Sequence, residues 1–362
     1  METIQNQSVL ITGASSGIGF ELARLFARDN YHVIMVAHHV DKLDHAAWQL
    51  QSEFSHVRLN TIAIDLSKDD APSRLFEHVQ QQGWQVNILV NNAGFGEYGL
   101  FTESNLQKEL AMIHLNIISL VHLTKLFLPY LLNQGSGKIL QVGSVASFTP
   151  TPLQSVYGAT KAFILSFSEA LQEELKDAPV SVTILCPPAT DTNFFNVAGA
   201  QDSKLAQGDL ATPEEVARTA YKALLAGDKR AVPTFKAKLQ VAQSTILPDA
   251  LNATLMHKQS EETTKSRKSA FKKSSTPANP TIVAESASLP VTETPLKAST
   301  NRRKSTQSTI TSTNLDATTA SVATLDPAVA ITGLTADNLT ATNTDVPPIP
   351  VPKPKRSTKK NQ

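Results

Sequence analysis

From Ser8 onward the chain alternates short apolar runs with longer stretches whose apolar residues recur every three or four positions. Residues 9–11, 33–36, 61–64, 88–90, 139–142 and 182–185 are strand-length and bounded by polar residues or glycine. Between them, residues 18–28, 72–82, 106–132 and 155–176 have helical length. Continuously apolar strands separated by helices belong in a parallel sheet covered on both faces and joined by right-handed crossovers. The pattern therefore predicts a doubly wound α/β domain. A further helix is expected over residues 213–226, with Thr212 as its cap, Pro213 in its first turn and Gly227 ending it. Residues 232–235 are a candidate last strand, and the stretch to His257 is weakly amphipathic.

Composition divides this picture near His257. The 362 residues carry 33 Lys or Arg and 32 Asp or Glu, yet residues 1–257 hold 18 basic and 24 acidic residues (−6) and residues 258–362 hold 15 and 8 (+7). The second segment has one aromatic residue, Phe271, one glycine, Gly333, and 33 Ser or Thr in 105 residues. So little apolar material cannot offset the entropy of ordering the backbone. The expectation is a single domain over residues 1–257 followed by a disordered, low-complexity basic tail over residues 258–362. The tail's last part, residues 346–354, is Pro-rich and favours polyproline II. Its basic clusters either attract a polyanion, such as nucleic acid or an anionic membrane surface, or simply keep a solvated extension soluble.

The single Cys186 excludes an internal disulfide framework and a zinc cluster of several thiolates, and it fits a reducing, cytoplasmic setting. No basic segment followed by an apolar stretch opens the chain, and the most apolar later run, residues 126–132, is short and contains Pro129. Secretion and membrane spanning are not expected. The nine His are scattered without metal-ligand spacing, so no catalytic metal is expected either.

Directly after the first strand comes Thr12-Gly13-Ala14-Ser15-Ser16-Gly17-Ile18-Gly19, and a helix follows at once. In this setting Gly13 permits a sharp turn, Gly17 lets the backbone approach a diphosphate, and Gly19 permits close helix-to-strand packing. The helix start offers amide donors and positive dipole to phosphate oxygens. Further on, Tyr157 and Lys161 stand four residues apart on one face of a predicted helix. A phenol titrating near 10 is a poor acid or base at neutral pH unless a cation stabilises its phenolate, and Lys161 supplies one.

These motifs resemble those of the short-chain dehydrogenases/reductases. Beyond the glycine turn, Asn91-Asn92-Ala93-Gly94 follows the fourth strand, Asn116 lies in the next long helix, Ser144 ends the fifth strand, and Tyr157-x-x-x-Lys161 opens the following helix. The resemblance runs from about Ser8 to Phe195 and implies a Rossmann-like fold with a nicotinamide cofactor. It implies that Tyr157 exchanges a proton with a carbonyl or secondary alcohol while hydride passes to or from the nicotinamide. It gives Ser144 the substrate oxygen, Lys161 also the nicotinamide ribose, and Asn116 a water linking Lys161 to solvent. Ser15, Ser16, Ile18, Asn91, Ala93 and Gly94 join the glycines as cofactor-binding residues, and Asp65 resembles the residue near the adenine, unless it is simply a turn Asp.

Cofactor choice turns on the end of the second strand, Val36-Ala37-His38-His39, where no acid stands to bind ribose hydroxyls or repel a 2′-phosphate. NADP is the expected cofactor, with His38 beside its phosphate and NAD as the alternative. His38 and His39 also read as two surface histidines. One departure is Cys186-Pro187-Pro188-Ala189-Thr190-Asp191-Thr192, in which Pro188 replaces the usual glycine of the family, excludes a positive-φ turn and suggests a displaced loop. Pro187, Thr190 and Thr192 remain candidates for cofactor contact. Phe95, Phe148, Phe194 and Phe195 read equally as an apolar pocket or as core.

The resulting expectation is a cytoplasmic, NADP-preferring oxidoreductase acting on a small carbonyl or alcohol. The competing class is a nucleotide-sensing regulatory or scaffold protein acting through its basic tail. Helices 106–132 and 155–176 are apolar on more than one face, and related enzymes pair through them, so a homodimer or homotetramer is expected.

Overall fold

In the computed structural model, which describes residues 7–261, seven strands form one sheet. They are β1 (Ser8–Thr12), β2 (His32–Ala37), β3 (Leu59–Ala63), β4 (Ile88–Asn91), β5 (Gly137–Val142), β6 (Val180–Leu185) and β7 (Arg230–Ala231). All pair in parallel in the order β3-β2-β1-β4-β5-β6-β7, with Leu10 opposite Ile34 on one side and Leu89 on the other. The order reverses between β1 and β4, and a crevice at that switch, beyond the carboxyl ends of the strands, is where such sheets place their ligands.

The helices are α1 (Gly17–Arg28), α2 (Val40–Glu53), α3 (Ala71–Gln81), α4 (Leu106–Ile113), α5 (Leu120–Asn133), α6 (Ser155–Glu174), α7 (Phe194–Ala198), α8 (Pro213–Ala226), α9 (Phe235–Ile246) and α10 (Asp249–Ser260). Strand side chains alternate between two cores, as their two-residue period requires. Val9, Ile11, Val33 and Met35 pack with Leu22, Phe26, Leu43 and Leu224 of α1, α2 and α8. Leu10, Ile34 and Val36 face the other way, with Leu75, Leu123, Phe127 and Leu171 of α3, α5 and α6. The doubly wound, Rossmann-like architecture is thus the observed one.

Several boundaries differ from the pattern reading. The last strand is Arg230–Ala231, not residues 232–235, because Pro233 has no amide to donate and Thr234 turns the chain at φ 61° to cap α9, its hydroxyl accepting from the Ala237 amide at 3.1 Å. Residues 40–53, left unassigned by the apolar pattern, form α2, whose buried Leu43, Ala46, Ala47 and Leu50 include two small alanines and so give a weak signal. The long helix between β4 and β5 is interrupted by a π-helical turn, His114–Ser119. As a whole, Leu106–Asn133 is long and apolar enough to cross a membrane, yet Leu123, Phe127 and Leu131 are buried against the sheet. The expectations for the tail beyond Glu261 lie outside the described residues.

Candidate active site

The glycine turn is built by contacts that leave no room for side chains. Gly13 and Gly17 have φ of +67° and +57°, in the left-handed region that favours glycine. A Cβ on Gly19 would lie 2.3 Å from the Gly13 carbonyl oxygen. Ser16 caps α1 with its backbone but makes no side-chain capping bond, so among the described residues the first amides of α1 have no capping side chain. Such a terminus fits a diphosphate. Ala37, 7% exposed, ends β2, and the rings of His38 and His39 lie 3.8 Å apart. Burial, with the neighbouring His39 and Lys42, holds His38 below the usual imidazole range despite Asp65, so His38 is neutral at neutral pH. Burial pushes the Asp65 carboxyl up, but hydrogen bonds from the Ser67 amide and hydroxyl, at 3.0 and 2.7 Å, outweigh it and hold the group below its ordinary value.

Two neighbours of the expected residues hold this region together. The Asn92 amide nitrogen donates to the carbonyl oxygens of Thr12 and Gly13 at 2.9 and 3.2 Å, and the Thr12 hydroxyl oxygen accepts from the Asn92 and Ala93 backbone amides, each at 3.0 Å. Asn92 therefore braces the turn from the end of β4. Asn91 points elsewhere: its side chain is buried and donates to Thr124 and Gln141. Alternation along a strand is the signal that separates two adjacent asparagines in this way.

Ser144, Tyr157, Lys161 and Asn116 come from four places in the chain and converge beyond the ends of β4 and β5. Ser144 caps the 3-10 turn Val145–Phe148, its hydroxyl oxygen accepting from the Ala146 amide at 3.1 Å and its own amide donating to Ser147 at 3.2 Å. Its side chain, through a hydrogen-bonding effect, favours the ionised form of the Tyr157 phenol. Burial pushes the Tyr157 phenol up to about 12 against that opposing effect. Lys161 is one helical turn on, its Nζ 5.7 Å from the centre of the Tyr157 ring and 2.9 Å from the Val142 carbonyl it donates to. Burial lowers the ammonium to about 8, with Cys186 opposing. At neutral pH the pair is therefore a protonated phenol beside an ammonium ion.

The π-helical turn explains how Asn116 reaches this group. Its amide nitrogen donates to the Phe95 carbonyl at 3.0 Å and to the Thr160 hydroxyl at 3.1 Å, while its oxygen accepts from the Phe95 amide at 3.2 Å. A Cβ on Gly94 would stand 2.8 Å from that oxygen and 3.7 Å from Lys161 Nζ, so Asn116 and Lys161 face the same small space.

The loop carrying Pro188 lies against the glycine turn. A Cβ on Gly17 would meet Thr192 Cγ2 at 3.0 Å. Pro187 accepts from the Val145 amide at 3.0 Å, and buried Thr190 donates to the Pro188 carbonyl at 2.8 Å while pairing with Ala211. Thr192 accepts from the Phe194 amide at 3.3 Å and so starts α7. Phe194 then covers the other side of the cluster: its ring centre is 5.1 Å from that of Tyr157, and its Cζ leaves no room for a Cβ on Gly96. Phe195 packs edge-on against it. Among the described residues no three His, Cys, Asp or Glu side chains come together as a metal site.

Comparison with known proteins decides the family. The profile of the short chain dehydrogenases matches residues 7–203. The chain belongs to that family. It is accordingly an NAD(P)-dependent oxidoreductase. It is 33% identical over 193 residues to human 17-beta-hydroxysteroid dehydrogenase type 3, covering 51% of this chain and 60% of that protein. Among solved structures it is similar to a short-chain dehydrogenase from Sphingobium yanoikuyae in complex with NADPH (28% identity, TM-score 0.59, 66% and 93% of the two chains). It is also similar to the bulky-bulky ketone specific alcohol dehydrogenase from Comamonas testosteroni (28% identity, TM-score 0.57, 67% and 93%).

Proposed function

We propose that this short-chain dehydrogenase is an NADP-preferring reductase of bulky, apolar carbonyl compounds, with Tyr157 as proton donor. The observation that carries the proposal is buried Tyr157 with Lys161 Nζ 5.7 Å from the centre of its ring and Ser144 favouring its ionised form. A bound nicotinamide cofactor supplies the hydride. Tyr157, held protonated by burial, gives its proton to the carbonyl oxygen, and the Ser144 hydroxyl donates to the same oxygen. Lys161 stabilises the phenolate that remains and hydrogen-bonds the nicotinamide ribose. Asn116, which shares its space with Lys161, positions water for the return of the proton.

Gly13, Ser15, Ser16, Gly17, Ile18 and Gly19 hold the diphosphate, and Ala93, Gly94, Pro187, Thr190 and Thr192 line the nicotinamide side. The preference for NADP rests on Ala37, which leaves the 2′-phosphate unopposed. His38 is neutral, so its contribution is a hydrogen bond, and Lys42 in the first turn of α2 brings the positive charge felt at that position. Lys42 escaped the sequence reading because helix α2 did. Phe194 against Tyr157 makes the carbonyl side apolar, in keeping with the bulky ketone specificity named for the Comamonas testosteroni neighbour. Steady-state reduction of a panel of bulky and small ketones tests the proposal. It predicts turnover of bulky ketones with NADPH, slower with NADH. Binding of NADPH without turnover of any carbonyl, or a preference for NADH, would contradict it.

A further inference from the structure

Helix α9 carries an apolar stripe on its solvent side. Phe235, Leu239, Ala242 and Ile246 follow one another at spacings of four, three and four residues, which places them on one face. All four are exposed, Phe235 and Ile246 by 82% each. The inner side is occupied, since Ala237 is buried and α9 packs on the Val145–Phe148 turn. Helix α10 adds the exposed Leu251 and Leu255, and its Asn252 amide joins the two helices by donating to the Ser244 and Leu247 carbonyls, each at 3.1 Å.

Lysines stand beside this apolar surface. Lys236 and Lys238 flank the stripe, with Lys236 3.9 Å from Asp209, and Lys258 is exposed in the last turn of α10. Residues 229–273 carry ten Lys or Arg against three Asp or Glu, and five of the ten follow α10 at Lys265, Arg267, Lys268, Lys272 and Lys273. A surface helix with bulky apolar residues on one face and lysines beside them suits the boundary between lipid headgroups and acyl chains, and a polybasic segment adds the second signal that durable attachment needs. Nucleic acid would engage the cations and leave Phe235 and Ile246 in water. A second copy would bring two positively charged faces together.

We propose that α9 and α10 dock the protein on an anionic bilayer. The docked face adjoins the site. Helix α9 rests on the turn that begins at Ser144, the Tyr98 hydroxyl donates to the Ser260 carbonyl at the end of α10, and Lys204 pairs with Glu261 at 2.9 Å. The segments around Tyr157 that carry Phe95 and Phe194 are thereby joined to the helix pair on its inner side. The docking does not depend on the substrate assigned above.

The test is cosedimentation of the full-length protein with vesicles of phosphatidylcholine containing about one-third phosphatidylserine, against vesicles of phosphatidylcholine alone. Binding is expected to the anionic vesicles only and to weaken as salt is raised. Phe235→Ser/Ile246→Ser and Lys236→Glu/Lys238→Glu should each weaken it by roughly tenfold or more while keeping the far-ultraviolet circular dichroism of the wild type. Phe235→Trp should show blue-shifted emission on the anionic vesicles, measured against wild-type protein. The proposal is overturned by any of four results: no binding above the phosphatidylcholine control, undiminished binding of Phe235→Ser/Ile246→Ser, no emission shift for Phe235→Trp, or a lower solution mass for Phe235→Ser/Ile246→Ser than for wild type, which would make a second copy the occupant. Salt-sensitive binding to RNA with no vesicle binding would likewise overturn it in favour of a nucleic acid.

Discussion

Replacing Gly19 by alanine tests the packing on which the dinucleotide turn rests. The added Cβ would stand 2.3 Å from the Gly13 carbonyl oxygen, 2.5 Å from Asn92 Nδ2 and 3.0 Å from the Gly13 carbonyl carbon. Two of these atoms are backbone, so rotating a side chain cannot relieve the clash. Ordinary contact near 3.5 Å requires α1 to withdraw from the end of β1 by about 1 Å. That movement pulls the turn from Asn92, whose bonds to Thr12 and Gly13 are 2.9 and 3.2 Å long. Overpacking of this kind costs about 1–3 kcal/mol, and two weakened hydrogen bonds add about 1 kcal/mol each. The better helix propensity of alanine returns about 1 kcal/mol. The net loss is about 2–4 kcal/mol against the 5–15 kcal/mol typical of a domain, which at about 2–4 °C per kcal/mol lowers Tm by roughly 4–16 °C.

Thermal unfolding with and without saturating NADPH reads both consequences, since a ligand that binds only the folded state raises its stability. The Gly19→Ala protein should melt earlier and lose most of the NADPH-induced rise. Gly83→Ala is the comparison: its φ is +66°, but a Cβ there meets nothing within 4 Å. It should cost about 1–2 kcal/mol and keep the NADPH effect. If Gly19→Ala melts within about 2 °C of wild type with a full NADPH response, the packing argument is refuted.

Lys161 gives a pH-dependent prediction. Its ammonium titrates near 8 when folded and at its ordinary 10.5 when unfolded, so the folded state binds fewer protons between those values and gains stability as pH rises through them. From pH 8 to 10, urea unfolding should show wild type gaining roughly 2–3 kcal/mol on Lys161→Met, and a constant difference would contradict the shift. Phe194→Ala removes the ring packed on Tyr157 and should raise kcat/KM for the bulkiest ketones relative to small ones by roughly tenfold; an unchanged ratio would show that Phe194 does not set the pocket. Leu106, Leu110 and Ile118 on the long helix and Phe163 on α6 are exposed apolar residues suited to pairing two copies. Light scattering should give a multiple of the single-chain mass, reduced by Leu110→Asp, and a wild-type monomer at micromolar concentration would contradict this.

The sheet was legible because Val9, Leu10, Ile11 and their counterparts are apolar on both faces, a pattern that buried parallel strands share and half-exposed strands lack. The glycine turn was legible because its spacing encodes backbone geometry directly. Helix α2 was not, since alanine at two of its four buried positions blurs the periodicity, and Lys42 was missed with it. Nor was the π-helical turn that aims Asn116 at Phe95 and Thr160: one added residue per turn leaves the composition of an apolar helix unchanged. The pairing of Phe194 with Tyr157 is a tertiary fact, set by a loop that carries no general code.

The central claim is that Tyr157 gives the proton in carbonyl reduction, and Tyr157→Phe tests it most directly. The ring that packs on Phe194 is kept and the phenolic hydroxyl is removed. Fluorescence titration and steady-state turnover should be measured on the same preparation with NADPH and a ketone that wild type reduces. The account predicts NADPH affinity within about twofold of wild type and turnover reduced by roughly a hundredfold or more. Near-normal turnover in Tyr157→Phe would contradict it.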